Sequence, residues 1–425
     1  MEKATNSTKR TILHIDFDSF FASVEQQYNF SLRGKPIGVL AANSRSCIIA
    51  SSREAKRLGI KTGARSFEAK QICPSIALVP ADFIKYFEIS KKFLNICKDY
   101  SPFVELFSID EVFMDITKTV HLFDGTHRII SKIKSRIKQE IGEYITASIG
   151  ISHNKLLAKM ASSINKPDGV YKITQNNLDE VFRDAKLTDV CGVGERIKIR
   201  LNKLGIYNLL QLRSVPYYSL VSEFGNVEAE FLKNVSFGHD ESSVIPYTTY
   251  QQVKSVGRSY CLPKNEYNKR VVLQNIYELC EEVSIKLRKL NKRGRTVGIS
   301  LRGNVDFNYR KTFKDYFDTG KEIYHNLYSH LYSHLSSGNT DYIRQISVWV
   351  ANLEDNQNLQ LSLFDSSGKK ERLIKTVDLI NERFGDHTIR NGFLLYADKL
   401  TTVPNGYLAD RYERLKLAHD PDVIC

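Results

Sequence analysis

At 425 residues the chain exceeds what one ordinary hydrophobic core can serve, so roughly two to four domains are expected. A hydrophobic fraction of 42% and a charged fraction of 26% are those of a soluble globular protein, and no apolar run approaches the ~18 residues of a membrane helix. The polar start at residues 1–7 lacks a signal-peptide core, seven scattered cysteines without zinc spacing argue against a disulfide or zinc framework, and the net charge of +13 points to a polyanionic partner.

Residues 11–16 alternate, with Leu13 and Ile15 two apart, and predict a strand. Ser19 can cap a helix that reaches about residue 28. Residues 29–84 interrupt this unit as a small inserted subdomain, with strands at 37–40 and 47–50 and breaks at Cys73-Pro74 and Val79-Pro80. Residues 104–115 read as a hairpin, VELFSI then VFMDI, with Asp110-Glu111 at its bend. Residues 126–140 predict an amphipathic helix with Ile129, Ile130, Ile133 and Ile137 on one face. A last strand comes at 144–151. A helix from about Ser152 then turns Leu156, Leu157, Met160, Ala161 and Ile164 inward. The first 175 or so residues thus form an interrupted β-α-β-β-α-β unit.

Residues 175–245 read as all-helical, with Gly192-Val193-Gly194 separating two short helices and residues 201–206 ending the second. Residues 250–352 mix helices (269–290, 323–335) with strands (296–301, 343–350). Positions 251–350 hold 17 Lys and Arg against 9 Asp and Glu, interleaved with Tyr260, Tyr267, Phe307, Tyr309, Phe313 and Tyr316. Such a surface suits a phosphate backbone. After a polar stretch at 354–358, residues 370–384 form a candidate helix with Leu373, Val377, Ile380 and Phe384 inward. Residues 385–425 suggest no function.

Two stretches carry the chemistry: Ile15-Asp16-Phe17-Asp18-Ser19-Phe20-Phe21 and Phe107-Ser108-Ile109-Asp110-Glu111-Val112-Phe113-Met114-Asp115. Each places carboxylates inside apolar, strand-like sequence, where an unpaired charge is expensive. The order of elements sets the first strand beside the hairpin, so Asp16 ends near Asp110 and Glu111. A pair of divalent cations would offset their repulsion, and two-metal sites join or cut phosphate esters. Lys155 and Lys159 lie four apart on the polar face of one helix, Lys166 comes at its end, and Arg53 and Lys56 sit in the insertion; together they outline a nucleotide site. The Gly192–Gly194 turn suits a helix-hairpin-helix that holds a DNA phosphate through backbone N–H groups.

In these residues the chain resembles the Y-family DNA polymerases, the translesion group of DinB and UmuC types. The matching stretches are IDFDSFFASVE (15–25), EAKRLGIKTG (54–63), FSIDEVFMDIT (107–117), ASIGISHNKLLAKMASSINKPDGVY (147–171), GVGERIKIRLNKLGI (192–206) and KSVGRS (254–259), within residues 10–365. The resemblance implies an α+β multidomain right hand. Residues 1–28 and 85–174 would be a ferredoxin-like palm and 29–84 small fingers. Residues 175–245 would be a helical thumb with a helix-hairpin-helix, and 251–352 an α/β little finger. Residues 353–425 would be a C-terminal tail.

It further implies that Asp16, Asp110, Glu111 and the backbone carbonyl of Phe17 bind two Mg2+, with Mn2+ as a substitute. Phe21 falls at the steric gate that excludes a 2′-OH. Arg53, Lys56 and Lys166 would contact the nucleotide, and Lys155, Lys159, Gly192, Gly194, Lys254 and Arg258 the DNA. DinB-type members commonly carry a Tyr and, three residues on, an Arg where Arg53 and Lys56 stand; the Glu-Ala-Lys pattern looks closer to UmuC, and both types stay open. Gln360-Leu361-Ser362-Leu363-Phe364 resembles the peptide with which bacterial polymerases dock on the sliding clamp, through Gln360, Leu361, Leu363 and Phe364.

The implied activity is template-directed extension of a primer 3′-OH with dNTPs, at low fidelity and across damaged template bases. No segment resembles a proofreading exonuclease. The implied partners are primer-template DNA, dNTP and the clamp. The implied setting is a monomer in bacterial cytoplasm, associated with the nucleoid and not with a membrane. Two rival readings are a non-catalytic DNA- and clamp-binding scaffold of the same family and a nucleotidyl cyclase. The cyclase leaves the basic module and the clamp peptide unexplained.

Overall fold

All six residues of strand β1 (Ile12–Phe17) are buried, as expected of a central strand covered on both faces. The computed structural model describes residues 10–41, 47–249, 252–304, 306–337, 342–356, 367–385, 388–395 and 397. They fall into two compact units that divide after Gln251.

In the first unit β1 is the middle of a five-stranded sheet. The spatial order is β5 (Val104–Leu106), β6 (Glu111–Asp115), β1, β7 (Ala147–Ser152), β8 (Val170–Lys172). All pairs are antiparallel except β7 with β8. This is the expected β-α-β-β-α-β order with one strand appended. Leu13, Ile15 and Phe17 join a core with helices α1 (Phe20–Tyr28), α4 (Phe83–Lys98) and α5 (Thr126–Arg136). The alternate residues Ile12, His14 and Asp16 face the other side, where helix α6 (Lys155–Ile164) lies; Ile12 packs there with Ala158. Asn154 caps α6 by accepting the Leu157 N–H at 2.9 Å. Gly150 lets α6 approach, because a Cβ there would collide with the Ala158 carbonyl oxygen.

The insertion is a three-stranded sheet, β3 (Ile48–Ser51), β2 (Ile37–Leu40), β4 (Ala77–Pro80), with helices α2 (Arg53–Arg57) and α3 (Ser66–Ile72). Its core of Ile48, Ala55, Ile60, Ala69, Cys73 and Ile76 is separate from the main one. After the five-stranded sheet come five short helices: α7 (Leu178–Asp184), α8 (Glu195–Lys203), α9 (Leu209–Ser214), α10 (Tyr217–Phe224) and α11 (Asn226–Ser236). They pack on Leu156, Leu157 and Met160, so α6 is apolar toward them as well as toward the sheet.

The second unit is an antiparallel sheet in the order β11 (Phe307–Phe317), β10 (Lys292–Gly303), β12 (Ile343–Asp355), β9 (Ser255–Glu266). Helices α12 (Lys269–Lys289) and α13 (Gly320–Ser337) share one core with it. Helix α14 (Ser367–Phe384) is tied to this unit by ion pairs: Arg288 grips Asp378 with two bonds of 2.7 Å, and Arg293 lies 2.6 Å from Glu371.

Four local expectations are corrected. Ser19 precedes α1 in a left-handed conformation (φ 52°) and its side chain does not cap it. The element before Gly192 is a 3-10 turn, Leu187–Asp189, not a helix. Strands β9 and β11 were not expected. On α14 Leu373 and Phe384 are exposed, and Val377 and Ile380 are half-buried.

Candidate active site

Asp16 pairs with Glu111 across β1 and β6, and the Phe17 N–H donates to the Asp110 carbonyl at 3.1 Å. The hairpin bend therefore adjoins the end of β1, and the acids of the two motifs share one end of the sheet. Ser108 Oγ donates to Asp110 Oδ1 at 2.6 Å. Burial pushes Asp16 up to about 7 against the pull of Lys166, and the charges of Asp110 and Glu111 add to the rise. Burial raises Asp110 as well. Burial also works against the charge on Glu111, but the Lys159 ammonium in contact with both of its oxygens holds Glu111 well below the usual carboxylate range.

Two lysines neutralise these acids. Lys166 Nζ lies 2.7 Å from Asp16 Oδ1, and Lys159 Nζ sits 2.6 and 2.7 Å from the two oxygens of Glu111. His14, fully buried, has ligand capacity beside Asp16 and Glu111: one atom from each of the three lies within 4.8 Å of the others. Clustered carboxylates that draw in two ammonium groups, together with a buried ring nitrogen lacking a partner, fit a divalent cation.

Asp18, two residues past Asp16, does different work. It accepts from Thr146 Oγ1 (2.6 Å), Ser148 Oγ (2.7 Å) and the Asp168 N–H (2.8 Å). These bonds pin the loop after α6 against β7 and so help place Lys166. Arg53 reaches this cluster, bonded to Thr146 Oγ1 and 3.8 Å from Asp18, while Lys56 Nζ donates to Ser19 Oγ at 2.8 Å. Both cations of the inserted subdomain thus border the same end of the sheet. The Phe21 ring is 7% exposed and lies 4.5 Å from the ring of Tyr86. The Tyr86 hydroxyl donates to Glu25 Oε1 at 2.7 Å, and Lys85 is 3.0 Å from Glu25.

The residues expected on DNA are dispersed. Lys155 is bonded to both oxygens of Glu105 (2.9 and 2.7 Å), and Lys159 belongs to the carboxylate cluster. Both line a cleft of about 670 Å3 with Phe107, Phe113 and His239. Gly192 has φ 103°, and a Cβ there would come within 2.6 Å of the Phe231 ring. The Val193 N–H is taken by the Val190 carbonyl, and Gly194 precedes α8. Lys254 is exposed before β9, and Arg258 pairs with Glu282 at 3.3 Å. Gln360, Leu361, Leu363 and Phe364 lie outside the described residues. Sequence reasoning missed His14, Ser162, Glu105 and the Glu25–Tyr86 pair; of these only His14, a polar residue inside an apolar strand, carried a signal.

Comparison with known proteins decides the family. The model of the impB/mucB/samB family matches residues 15–163, and that of its C-terminal domain matches residues 253–363. The chain belongs to this family, the Y-family. Among Y-family relatives, DNA polymerase IV of Pelotomaculum thermopropionicum is 34% identical over 94% of this chain and 97% of its own length. DNA polymerase IV of Acetivibrio thermocellus is 32% identical over 91% of this chain and 98% of its own. A solved Y-family DNA polymerase chimera of Dbh and Dpo4 superimposes with a TM-score of 0.69 at 26% identity, covering 81% of this chain and 100% of that one. The mixed helix-and-sheet architecture is that of a Y-family polymerase. Among the described residues no helix is long and apolar enough to cross a membrane.

Proposed function

We propose that the protein is a translesion DNA polymerase that adds a deoxynucleotide from dNTP to a primer 3′-OH under the direction of a template, without proofreading. The observation that carries this reading is the gathering of Asp16, Asp110 and Glu111 at one sheet end in a Y-family chain. These acids, with the Phe17 carbonyl, would hold two Mg2+, or Mn2+ in their place, to ease deprotonation of the 3′-OH and neutralise the departing pyrophosphate. Lys166, paired with Asp16, would swing its ammonium onto the triphosphate when nucleotide binds. Arg53 and Lys56 offer two further cations from the fingers, and Arg53 alone has the planar fork that grips phosphate oxygens in pairs. Phe21, backed by the Tyr86 ring, presents a fixed surface under the sugar.

The small insertion, with a core of its own, tests base-pair shape weakly, which lowers fidelity and admits damaged bases. Lys155, Lys159, Gly192, Gly194, Lys254 and Arg258 are assigned to the DNA backbone, with Lys155 and Lys159 first exchanging Glu105 and Glu111 for phosphate. Residues 360–364 are assigned to the sliding clamp on their Gln-Leu-Ser-Leu-Phe pattern. The working form is a cytoplasmic, nucleoid-associated monomer. A non-catalytic scaffold has no use for the three carboxylates, and nothing favours it.

The test is metal-dependent primer extension on undamaged and damaged templates. Asp110→Ala/Glu111→Ala is expected to lose ~10³-fold or more, since a single preorganised electrostatic contact is worth about 10²–10³. Undiminished extension by the double variant overturns the assignment.

A further inference from the structure

His14 is a buried imidazole beside the acids, and its Nε2 makes no hydrogen bond. It stands two residues before Asp16 on β1, so both side chains share a face, and Glu111 lies opposite Asp16. The ring plane is fixed by Phe113, with centroids 4.6 Å apart. Its Nδ1 lies 2.7 Å from Ser162 Oγ, and that hydroxyl donates its proton to the Lys159 carbonyl at 2.8 Å. Ser162 therefore accepts from Nδ1–H, a tautomer assigned from the hydrogen-bond network, and the lone pair falls on Nε2. Nε2 is 3.9 Å from Glu111 Oε2, too far for a hydrogen bond in the opposite tautomer. A ring nitrogen that donates to a neighbour while the other faces carboxylates is the usual arrangement of a metal-bound histidine.

We propose that His14 Nε2 is a nitrogen donor to the cation held by Asp16 and Glu111, which biases that seat from Mg2+ toward first-row transition ions such as Mn2+. The proposal rests on Asp16 and Glu111 being cation ligands. Mg2+ demands oxygen donors in near-ideal octahedral geometry, whereas transition ions accept imidazole. Lys159, now on Glu111, and Lys166, now on Asp16, are cations at this seat, and Asp110 is a further acid beside it. Lys159 must leave Glu111 for an ion to enter, and the Phe107 ring, 4.8 Å from its Nζ, offers the ammonium an alternative rest.

The probe is Mn2+ bound to the full chain with a dideoxy-terminated primer-template and matched dNTP, read by pulsed electron paramagnetic resonance. A nitrogen coupling is expected that changes when the histidines carry 15N and disappears in His14→Phe. The preference for Mn2+ over Mg2+, measured by competition, is expected to fall about tenfold in His14→Phe, a typical effect of losing such a contact. Ser162→Ala, which frees the ring tautomer, should lower the same preference if His14→Phe fails to fold. Tight Mn2+ binding without histidine coupling overturns the proposal and leaves the carboxylate reading intact. Absence of Mn2+ from the wild-type complex overturns both.

Discussion

Asp16 is an acid that its surroundings push toward neutrality, and Lys166 is what limits the push. In the metal-free protein its pKa is about 7 against an ordinary 3.8, so between roughly pH 4 and 7 the unfolded chain releases a proton that the native one keeps. Its contribution is therefore most favourable below about pH 4 and erodes as pH rises toward 7. Thermal melts in chelator should show lower stability at pH 8 than at pH 5. Asp16→Asn, which cannot ionise, should flatten that slope, and an equal slope in the variant would refute the account. The acids themselves were legible in sequence, because carboxylates inside apolar strands demand a counter-charge. Their partners were not. Lys155 and Lys159 read as free cations for DNA, yet they pair with Glu105 and Glu111. Those contacts exist only because α6 lies across β1 and the hairpin, a geometry that spacing along the chain does not contain.

Helix α6 is the element on which the site depends. It brings Lys159 to Glu111, Ser162 to His14 and, at its end, Lys166 to Asp16. Its closeness to β7 rests on Gly150, where a methyl group would strike backbone atoms of Ala158 and Ser162. Gly150→Ala should destabilise the protein by about 1–3 kcal/mol, the usual range for overpacking. It should also depress extension in the surviving fold, because the helix must lift off the sheet. Denaturant unfolding with a parallel activity assay checks both, and unchanged values would remove Gly150 from this role. Several elements of the first unit were readable from hydrophobic period, although the cap read at Ser19 was not there. In the second, β11 was missed although Phe307, Tyr309, Phe313 and Phe317 alternate along it. Arg310, Lys311 and Lys314 fall among them and, among the described residues, β11 pairs with β10 alone, so its aromatic pattern read as a DNA-facing surface rather than as strand period. Strand β9 mixes Lys, Arg and Pro263 in the same way.

At the scale of the whole molecule, family membership spans both units, with one model on each. Membership of the Y-family was legible because several motifs recur in the family's order. The region beyond residue 365 was not, since no motif there fixes a partner. Helix α14 shows why: the Arg288–Asp378 and Arg293–Glu371 pairs tie it down along the side that bears half-buried Val377, and Leu373 and Phe384 stay exposed, which hydrophobic period alone did not tell. Deleting residues 360–364 should reduce clamp-stimulated synthesis to the clamp-free rate. Stimulation that survives the deletion would take the clamp assignment away.

The lysines resting on Asp16 and Glu111 have one more consequence. In a cluster of acids that carries its own counter-ions the chain itself offsets part of the repulsion, so the end of the sheet does not rely on divalent ions alone. Any divalent ion bound there would displace ammonium groups from carboxylates, and its affinity would be the difference between those two sets of contacts.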